Sequence, residues 1–594
     1  MADAAWYRLD NVGKFYSSQA GRAQQTVFRF CAVMVDPVDP NALQRALDLA
    51  VENHPGFNVR LRSGMFWHYL ESAQSTPAVQ PESPSICAGL HTGSSSTLFR
   101  VTFLQDRINL EVSHMISDGR GTLEFFRELL GAYVRVRYGV EDASPSPAVS
   151  RERRNEDSFT RHFEPEKAGK SPSRKVYHLR GWRDESDPAF FEYHLSAGQV
   201  HGIAKAMGVR VTALLIAAVI VAIRSTMPES ERARSIRMDV PVDLRALFGS
   251  QTTRNFFGLA FVDYAPGSDD EPLEEIARHV QAQMTSETQP DALKRRMNRM
   301  VKIEKNPLIR IAPLFVKDAA LSFAERMAAR EVTTTMSSLG RIELGGATDP
   351  YVREVNILTS TRGLNFIVCT FDDVLSIGIS SVFARHDVVE ALLATFEQMG
   401  VEGRLSIVGD GEGTAVRPKR LARRALAAAA LVALAAVLAL CVGCGADPLV
   451  TAVSCAAVVL GCLFARNIVV HSPDLPRTFE RSYLVLAAVS LAFLAATGSP
   501  FAATYAVPLL NMVALLVNAA MVVRFRSDFV KAYAKYLLYD LALGLVPLAA
   551  LATGLVEQPA FAVASVLCTL LLLLLICLLA RKQLGGELRK LFSA

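Results

Sequence analysis

The sequence has little charge and few cysteines, and each shortage excludes a class of protein. Charged residues make up 20% of the 594 residues and hydrophobic residues 51%, so the chain is not intrinsically disordered. Six of the nine cysteines lie in an apolar C-terminal part, and the other three form no spaced framework, which excludes a disulfide scaffold. Those three are Cys31, Cys87 and Cys369.

Several short signals are also absent. The first residues, MADAAWYRLDNVGK, show no basic stretch followed by an apolar run, so we expect no cleaved secretion signal. There is no glycine-rich phosphate loop, and no cluster of metal ligands is predicted. Cys441 and Cys444 lie in an Ala-, Leu- and Val-rich run, where packing is the simplest interpretation. The basic clusters flank apolar stretches, so no nucleic-acid partner is predicted.

What the sequence does have is a sharp division of charge. From Arg417 onward there are 16 Lys and Arg against 7 Asp and Glu, which leaves 47 against 51 for residues 1–416. The first part is therefore slightly acidic, while the second is basic and apolar. The length also predicts several folding units, since a domain takes about 100–200 residues. We predict a soluble part followed by a membrane part.

Six stretches of the second part are apolar enough to cross a bilayer, which takes about 20 residues. Basic residues precede the first stretch and follow the second, fourth and sixth, whereas the other three connections carry none. By the positive-inside rule this predicts a six-span protein of the cell (plasma) membrane, with both termini and the soluble part in the cytoplasm. The stretches are 424–445, 448–465, 482–498, 501–523, 536–556 and 559–580.

Few ionisable residues lie inside these stretches, so a proton or ion pump is not predicted. Asp540 is the one candidate: either its carboxylate reaches the headgroup region from near the cytoplasmic end of its helix, or it makes a functional contact. Asn511 and Asn518 share one helix face, and we interpret them as interhelical hydrogen-bonding residues.

Strand-like and helix-like patterns alternate through the first part. Apolar residues at every second position over 107–113 predict a half-buried strand, and helical spacing over 121–138 predicts a helix. Strands followed by helices, twice over, predict an α+β fold of two similar halves, followed by an all-α six-helix membrane bundle. Other predicted strands are 28–35, 190–195, 235–243, 257–264 and 374–383, and other predicted helices are 40–55, 197–224 and 387–399.

Composition sets the predicted domain boundaries. The polar stretch between the halves is rich in Ser, Pro, Glu and Arg, which is typical of a linker. The predicted regions are a first subdomain at 1–140, a crossover linker at 141–187, a second subdomain at 188–405, a basic linker at 406–423, the six-span membrane domain at 424–582 and a cytoplasmic tail at 583–594.

The motif HMISDG, residues 114–119, lies between the predicted strand and helix. A neutral imidazole at His114 can take a proton from a hydroxyl or amine near neutral pH, because its reference pKa is about 6.5. Gly119 leaves room for a substrate, and Asp118 can hold the loop through an ion pair. The alternative is that His114 is a hydrogen-bonded core residue without a catalytic role.

These residues resemble the CoA-dependent acyltransferase superfamily with the HxxxDG signature. It includes chloramphenicol acetyltransferase, alcohol O-acetyltransferases, wax ester synthases and condensation domains of peptide synthetases. The resemblance covers most of residues 1–405 and implies two chloramphenicol-acetyltransferase-like subdomains with a tunnel between them. Besides HMISDG, it is carried by NHPGFNVRL (53–61), MDVPVDLR (238–245) and NFFG (255–258).

The resemblance also implies residue roles. His114 would be the general base that deprotonates the acceptor as it attacks a thioester carbonyl. Asp118 would be structural and pair with Arg245, and Asn255 would line the central channel; an unrelated ion pair and a turn residue are the alternatives. Ser113 stands where condensation domains and wax ester synthases usually have a second histidine, and no DFGWG-like element is present.

We therefore predict a membrane-bound acyltransferase that moves an acyl group from acyl-CoA to a hydroxyl of a lipid, glycolipid or alcohol. Acyl-CoA would be a co-substrate, and no bound cofactor is predicted. A second hypothesis replaces the donor by a carrier-protein thioester and forms an amide or ester. A third makes the membrane part primary, as a transporter or scaffold with a non-catalytic acyltransferase-like domain, but the intact motif weighs against it.

Overall fold

The computed structural model divides the chain into two compact units, an N-terminal unit (Met1–Gly413) and a C-terminal unit (Thr414–Ala594). The structure describes residues 6–20, 25–82, 85–91, 96–140, 150–165, 176–184, 187–265, 271–409, parts of 431–459, 475–497 and 500–593.

The first half of the N-terminal unit supplies short strands and two long helices. Its strands are β1 (Trp6–Arg8), β2 (Val27–Met34), β3 (Val59–Ser63), β4 (His68–Ser72), β5 (Gln80–Pro81), β6 (Phe99–Leu104) and β7 (Arg107–Ser113). Its helices are α1 (Asn11–Ser17), α2 (Pro40–Asn53), α3 (Gly119–Tyr138), α4 (Arg151–Arg154) and α5 (Ser158–Arg161).

The second half is longer and carries more helices. Its strands are β8 (Ala189–Ser196), β9 (Ile236–Asp243), β10 (Phe257–Tyr264), β11 (Thr334–Arg341), β12 (Val352–Thr359), β13 (Leu364–Phe371), β14 (Val374–Ser381) and β15 (Gly403–Val408). Its helices are α6 (Ala197–Ala206), α7 (Val211–Thr226), α8 (Arg245–Phe248), α9 (Leu273–Glu287), α10 (Pro290–Glu304), α11 (Pro307–Ile311), α12 (Leu314–Ala328) and α13 (Asp387–Gln398).

The strands form three sheets, in the orders β1-β4-β3, β12-β2-β7-β6-β5 and β10-β9-β11-β13-β14-β8-β15. The five-stranded sheet thus takes β12 from the second half of the chain. β12 runs antiparallel to β2, with Asn356 opposite Cys31. This strand ties the two halves together, because β13 and β14, which follow it directly, return to the seven-stranded sheet.

Each half has its own hydrophobic core. In the first, apolar residues of α2 and α3 pack on β2, β6 and β7, and Phe30, Phe125 and Phe126 are fully buried there. In the second, α7 is apolar on nearly all sides and is buried against the seven-stranded sheet. An α+β architecture with two cores results, as the alternating sequence patterns predict.

The prediction of one helix over 197–224 is wrong. The chain forms α6 and α7, which meet at 89°. Gly208 lies in the break with a φ of 71°, a left-handed conformation that ends a helix and that glycine adopts without steric cost. The break lets the shorter α6 leave the core while α7 stays inside it.

In the C-terminal unit, three described helices are long and apolar enough to cross a membrane. They are Ala502–Arg526, Tyr533–Ala552 and Pro559–Ala580, and they correspond to the last three predicted spans. The third predicted span coincides with a shorter apolar helix, Ser482–Ala495. The first two predicted spans lie mostly outside the described residues. The six-span expectation is thus matched only in part, and membrane association is the coarser conclusion.

The candidate spans do not coincide with the helices of this unit, since Tyr533–Ala552 covers parts of two helices. A break at Arg526, whose φ is 48°, divides the longest helix between two candidate spans. The helices are Leu475–Thr497, Val507–Gly544, Val546–Ala552 and Pro559–Ser593, with a π-helical turn at Ala502–Ala506.

Candidate functional site

The HMISDG motif forms the connection between β7 and α3. The backbone N–H of His114 donates to the carbonyl of Thr26 at 2.9 Å, which fixes the histidine at the end of its strand. Asp118 is the N-cap of α3, and its Oδ1 accepts a hydrogen bond from the N–H of Gly121 at 2.8 Å. Such a cap satisfies an otherwise unpaired helix donor and favours a negative charge at the helix start.

Asp118 also binds the second half of the unit. Arg245 Nη2 lies 2.9 Å from Asp118 Oδ1, and the N–H of Phe256 donates to Asp118 Oδ2 at 2.7 Å. Both charged side chains are largely buried. Burial alone would lower the pKa of Arg245, but the charges of Asp118 and Asp243 raise it above its ordinary value. The structure therefore brings Asp118 and Arg245 together as an ion pair.

Arg245 in turn organises the chain before β10. Its Nε donates to the carbonyl of Thr252 at 2.8 Å, and its Nη2 donates to the carbonyl of Arg254 at 2.6 Å. The next residue is Asn255, which is fully buried. A guanidinium group can satisfy several acceptors in fixed directions, so the same arginine that pairs with Asp118 also sets the position of Asn255.

Asn255 holds the imidazole of His114. Its Nδ2 donates to both carboxylate oxygens of Asp10, at 3.2 and 3.0 Å, and to the carbonyl of His114 at 3.2 Å. All three partners are acceptors, so the amide must present Oδ1 to His114 Nδ1, 2.8 Å away. Nδ1 is therefore the protonated nitrogen, and the lone pair lies on Nε2.

The environment keeps this imidazole neutral. Burial lowers the pKa of His114 to about 4, although Asp118 and Asn255 act in the opposite direction. The ring stacks on Tyr16, with centroids 4.2 Å apart, and Phe28 lies against it at 4.5 Å. Aromatic faces supply no acceptor for a second imidazole proton, so the neutral form is favoured.

A cavity of about 1200 Å³ lies beside His114 in the N-terminal unit. His114 is one of the residues that line the cavity, whereas Asn255, which we expected to line the channel, is buried against the imidazole and is not part of the cavity wall. The strands β9 and β10 form part of the wall, and α12 forms another part. The chemically active nitrogen thus borders a space large enough for an organic substrate.

Of Gly119 and Gly121, Gly121 has less space for a side chain. A Cβ on Gly121 would lie 2.1 Å from the carbonyl oxygen of Thr253, whereas a Cβ on Gly119 would make ordinary contact with Leu339 at 3.4 Å. Gly119 lines the cavity. The close packing of α3 on the second half therefore requires Gly121, a residue that the motif analysis did not single out.

Three other residues of the site were missed at the level of sequence. Asp10 precedes α1 and caps it, which is a recognisable signal, but its contact with Asn255 spans 245 positions. Burial and the nearby charge of Asp157 raise the pKa of Asp10 to about 7.

The other two missed residues are Tyr16 and Asp239. Tyr16 stacks on the imidazole of His114, and Asp239, which belongs to the motif MDVPVDLR, lines the cavity. Burial also raises the pKa of Asp239, whose carboxylate accepts from Thr335 at 2.6 Å.

No group of three or more His, Cys, Asp or Glu residues in the described part of the chain is arranged to hold a metal ion. The reactive feature of the cavity is instead a single neutral imidazole held by a chain of hydrogen bonds. Such a group can accept a proton from a hydroxyl, amine or thiol.

Comparison with known proteins identifies two regions of the chain. Residues 196–380 match the family described as "Phthiocerol/phthiodiolone dimycocerosyl transferase C-terminus". This match confirms the resemblance of the N-terminal unit to the acyltransferase superfamily. Residues 414–594 match a "Family of unknown function (DUF6320)". No curated protein matches the sequence.

Solved structures similar to this chain include polyketide synthase associated protein 5 from Mycobacterium tuberculosis, at 15% identity over 66% of this chain and 97% of that one, with a TM-score of 0.43. TRI101 of F. sporotrichioides, complexed with coenzyme A and T-2, is 13% identical over 68% and 100% of the two chains, with a TM-score of 0.46. The first condensation domain of the calcium-dependent antibiotic synthetase is 16% identical over 66% and 95%, with a TM-score of 0.44.

The ion pair between Asp118 and Arg245 predicts non-additive losses of stability. Arg245→Ala leaves the buried carboxylate of Asp118 without its cation and should cost about 3–5 kcal/mol. Asp118→Ala should cost less, because Arg245 keeps its ion pair with Asp243 at 2.8 Å. The double variant should cost less than the sum of the two by about 0.5–3 kcal/mol. Denaturant unfolding of the four proteins measures this coupling, and strictly additive losses would contradict it.

Asp10 is predicted to position His114 through Asn255. In Asp10→Asn an oxygen remains to cap α1, but an NH₂ group competes for the Asn255 amide, whose orientation is then no longer fixed. We expect turnover to fall about tenfold, a typical effect of removing a residue that orients a reactive ligand, while the melting temperature changes little. The matched control is Asp106→Asn, since Asp106 pairs with Arg353 at the surface. Equal turnover of Asp10→Asn and wild type would rule out this role.

Proposed function

We propose that the protein is a membrane-bound acyltransferase that moves an acyl group from acyl-CoA to a hydroxyl of a lipid, glycolipid or alcohol. The observation that carries the proposal is the state of His114. Its Nδ1 is bound by Asn255, and its unprotonated Nε2 is left at the wall of a large cavity. The family match over residues 196–380 supports acyl transfer as the type of reaction.

In the proposed reaction, Nε2 of His114 takes the proton of the acceptor hydroxyl as its oxygen attacks the thioester carbonyl. The tetrahedral intermediate then collapses, the carbon–sulfur bond breaks, and the thiolate of CoA leaves. The imidazolium returns the proton to this thiolate, so that an ester and free CoA are the products. Asp118 and Arg245 take no part in proton transfer but hold the loop and Asn255 in place.

The low basicity of His114 suits a buried base that must not be charged before the substrate arrives. At cytoplasmic pH the ring is neutral and ready to accept a proton, because burial has lowered its pKa to about 4. The imidazolium that forms during the reaction is disfavoured by the same burial, so it gives up its proton readily to the leaving thiolate.

The wall of the cavity supports an apolar acceptor. Phe257, Leu259 and Phe261 line it from β10. The helix α12 lines it as well, while Phe315 and Phe323 of the same helix are 71% and 66% exposed on the surface. Exposed aromatic residues of this kind are typical of a surface that meets lipid. A helix that is apolar on both sides offers a lipid a route from a bilayer surface into the cavity.

Basic residues support an anionic donor. Arg183 and Arg362 are among the residues that line the cavity. Arg183 covers the ring of Phe383, and Arg362 pairs with Glu325 at 2.9 Å. Guanidinium groups are well suited to bind phosphates, which coenzyme A carries and a simple acyl ester does not. A carrier-protein thioester remains the alternative donor, and the assay below distinguishes the two.

The test is turnover of thioesters by the purified full-length protein, with a panel of acyl-CoA donors, acyl-carrier donors, and lipid and alcohol acceptors. His114→Ala should lower kcat by about 10²–10⁴, the usual contribution of a positioned base, without loss of fold. The matched control is His201→Ala, because His201 lies exposed on α6. Wild-type turnover by His114→Ala would overturn the mechanism. A folded wild-type protein that is inactive with every donor would favour the non-catalytic alternative.

The pH dependence of the same reaction is a second readout. His114 must be neutral to act, so activity should fall as the pH drops through about 4, the pKa of the buried ring. Between pH 5.5 and 8 no loss due to this residue is expected, whereas an unperturbed histidine would give a loss near 6.5. Initial rates of acyl transfer over this range, measured for wild type and for Asp10→Asn, separate the two cases, because Asp10 itself titrates near pH 7.

The localisation that we propose is the cell membrane, with six spans and both termini in the cytoplasm, where acyl-CoA is available. Reporter fusions after residues 446, 499 and 558 should report the outside. Fusions after residues 410, 470, 530 and 594 should report the inside, because the basic residues cluster there. A fusion on the wrong side would contradict the six-span topology.

A further inference from the structure

The C-terminal unit buries two carboxyl groups that the proposed reaction does not use. Glu480 lies on the helix Leu475–Thr497, and Asp540 lies on the span Tyr533–Ala552. The two residues are 1% and 0% exposed. The predicted stretch 482–498 leaves Glu480 out, and the side chain of Asp540 is enclosed instead of reaching outward to a headgroup region. The structure thus adds one buried ionisable group, Glu480, to the candidate Asp540 that the sequence offered.

A single amide joins the two carboxyl groups. Asn518 Nδ2 donates to Glu480 Oε1 at 2.7 Å and to Asp540 Oδ2 at 2.6 Å. Asn518 is itself 1% exposed and belongs to the span Ala502–Arg526. Three apolar helices thus each contribute one polar side chain to the same buried point.

The remaining oxygens have no partner. Glu480 Oε2 and Asp540 Oδ1 are buried without a hydrogen bond to any residue that the structure describes. No described basic side chain acts on either carboxyl group. Two carboxylates that bind the same amide nitrogen repel each other, and burial without a counter-charge is costly for each. One proton removes one of the charges and supplies a donor for the unpaired oxygens.

Among the described side chains, Tyr483 is a further titratable residue that acts on the pair. It lies on the same helix as Glu480, and its hydroxyl donates to Asn511 Oδ1 at 2.8 Å. The helix Pro559–Ser593 contributes the uncharged Ser565 and Thr569 to this part of the interior. Asn511 is satisfied separately, since its Nδ2 donates to the carbonyl of Leu543 at 2.8 Å.

We propose that Glu480 and Asp540 form a proton-binding site of the C-terminal unit, in which the two carboxyl groups hold one proton between them at neutral pH. Asn518 acts as its positioning residue. The site is independent of acyl transfer in the N-terminal unit. A metal cation is the less suitable ligand, because the N–H groups of Asn518 point at the two inner oxygens that a cation would need.

Infrared spectroscopy of the full-length protein in lipid nanodiscs tests how many protons the two carboxyl groups hold. The difference between wild type and the isosteric double variant Glu480→Gln/Asp540→Asn should contain the carbonyl stretch of one protonated carboxyl group per molecule at pH 7. The double variant should fold as wild type does, because two neutral amides replace a pair that carries only one charge. A difference of zero or of two protonated groups would overturn the proposal.

Labelling of the wild-type protein gives a measurement that needs no variant. Dicyclohexylcarbodiimide, an apolar reagent, adds to protonated carboxyl groups: the proton passes to a nitrogen of the reagent, and the carboxylate oxygen bonds to its central carbon. Glu480 or Asp540 should be modified at least about tenfold faster than the exposed Glu557, since the protonated fraction changes tenfold per pH unit. Peptide mass spectrometry gives the position and the extent.

The matched control is Glu557→Gln, which should leave labelling of the pair unchanged. Labelling that is no faster at the pair than at Glu557 would contradict the proposal. The same experiment distinguishes a proton from a cation. Saturable protection by sodium, potassium, magnesium or calcium chloride at constant pH would identify a cation site and overturn the proton assignment, whereas protection only by raising the pH supports it.

Discussion

The candidate site depends on one buried carboxylate. Asp118 receives donors from the first turn of α3, from Arg245 and from the backbone of Phe256. Because these donors come from both halves of the N-terminal unit, a single charge fixes the end of the histidine strand and the beginning of β10 together. Arg245 extends the constraint to the carbonyl before Asn255. The position of the imidazole thus depends on an ion pair that joins the two halves of the unit.

Burial affects a base in one unit and two acids in the other. In the N-terminal unit it removes a charge from a base, because the neutral imidazole is favoured. In the C-terminal unit two carboxyl groups are buried together without a cation, and the proton that they share removes one of the two negative charges. An asparagine orients the groups in both places, Asn255 in one and Asn518 in the other. An amide suits this task because it supplies a donor and an acceptor without adding charge.

Local sequence patterns predicted the strand and the helix around the motif, but they did not predict which distant parts of the chain contact each other. The strand and helix around HMISDG follow from alternation and helical spacing, and the motif placed His114 and Asp118 correctly between them. The crossover of β12 to β2 has no local signature, since its partners are more than 300 positions apart. Asp10 could be recognised as a helix cap, but its contact with Asn255 arises only in the folded chain. Glu480 was missed because a hydropathy window ends a span before a charged residue, whereas the helix continues through it.

The pairing of β12 with β2 has a consequence for folding during synthesis. β2 leaves the ribosome early, but the strand that covers its edge is more than 300 residues behind it. During most of translation the five-stranded sheet therefore presents an open, apolar edge, which is the kind of surface that pairs with other chains. The first half cannot complete its sheet as an autonomous folding domain. The edge of β2 stays unpaired until residue 359 has emerged.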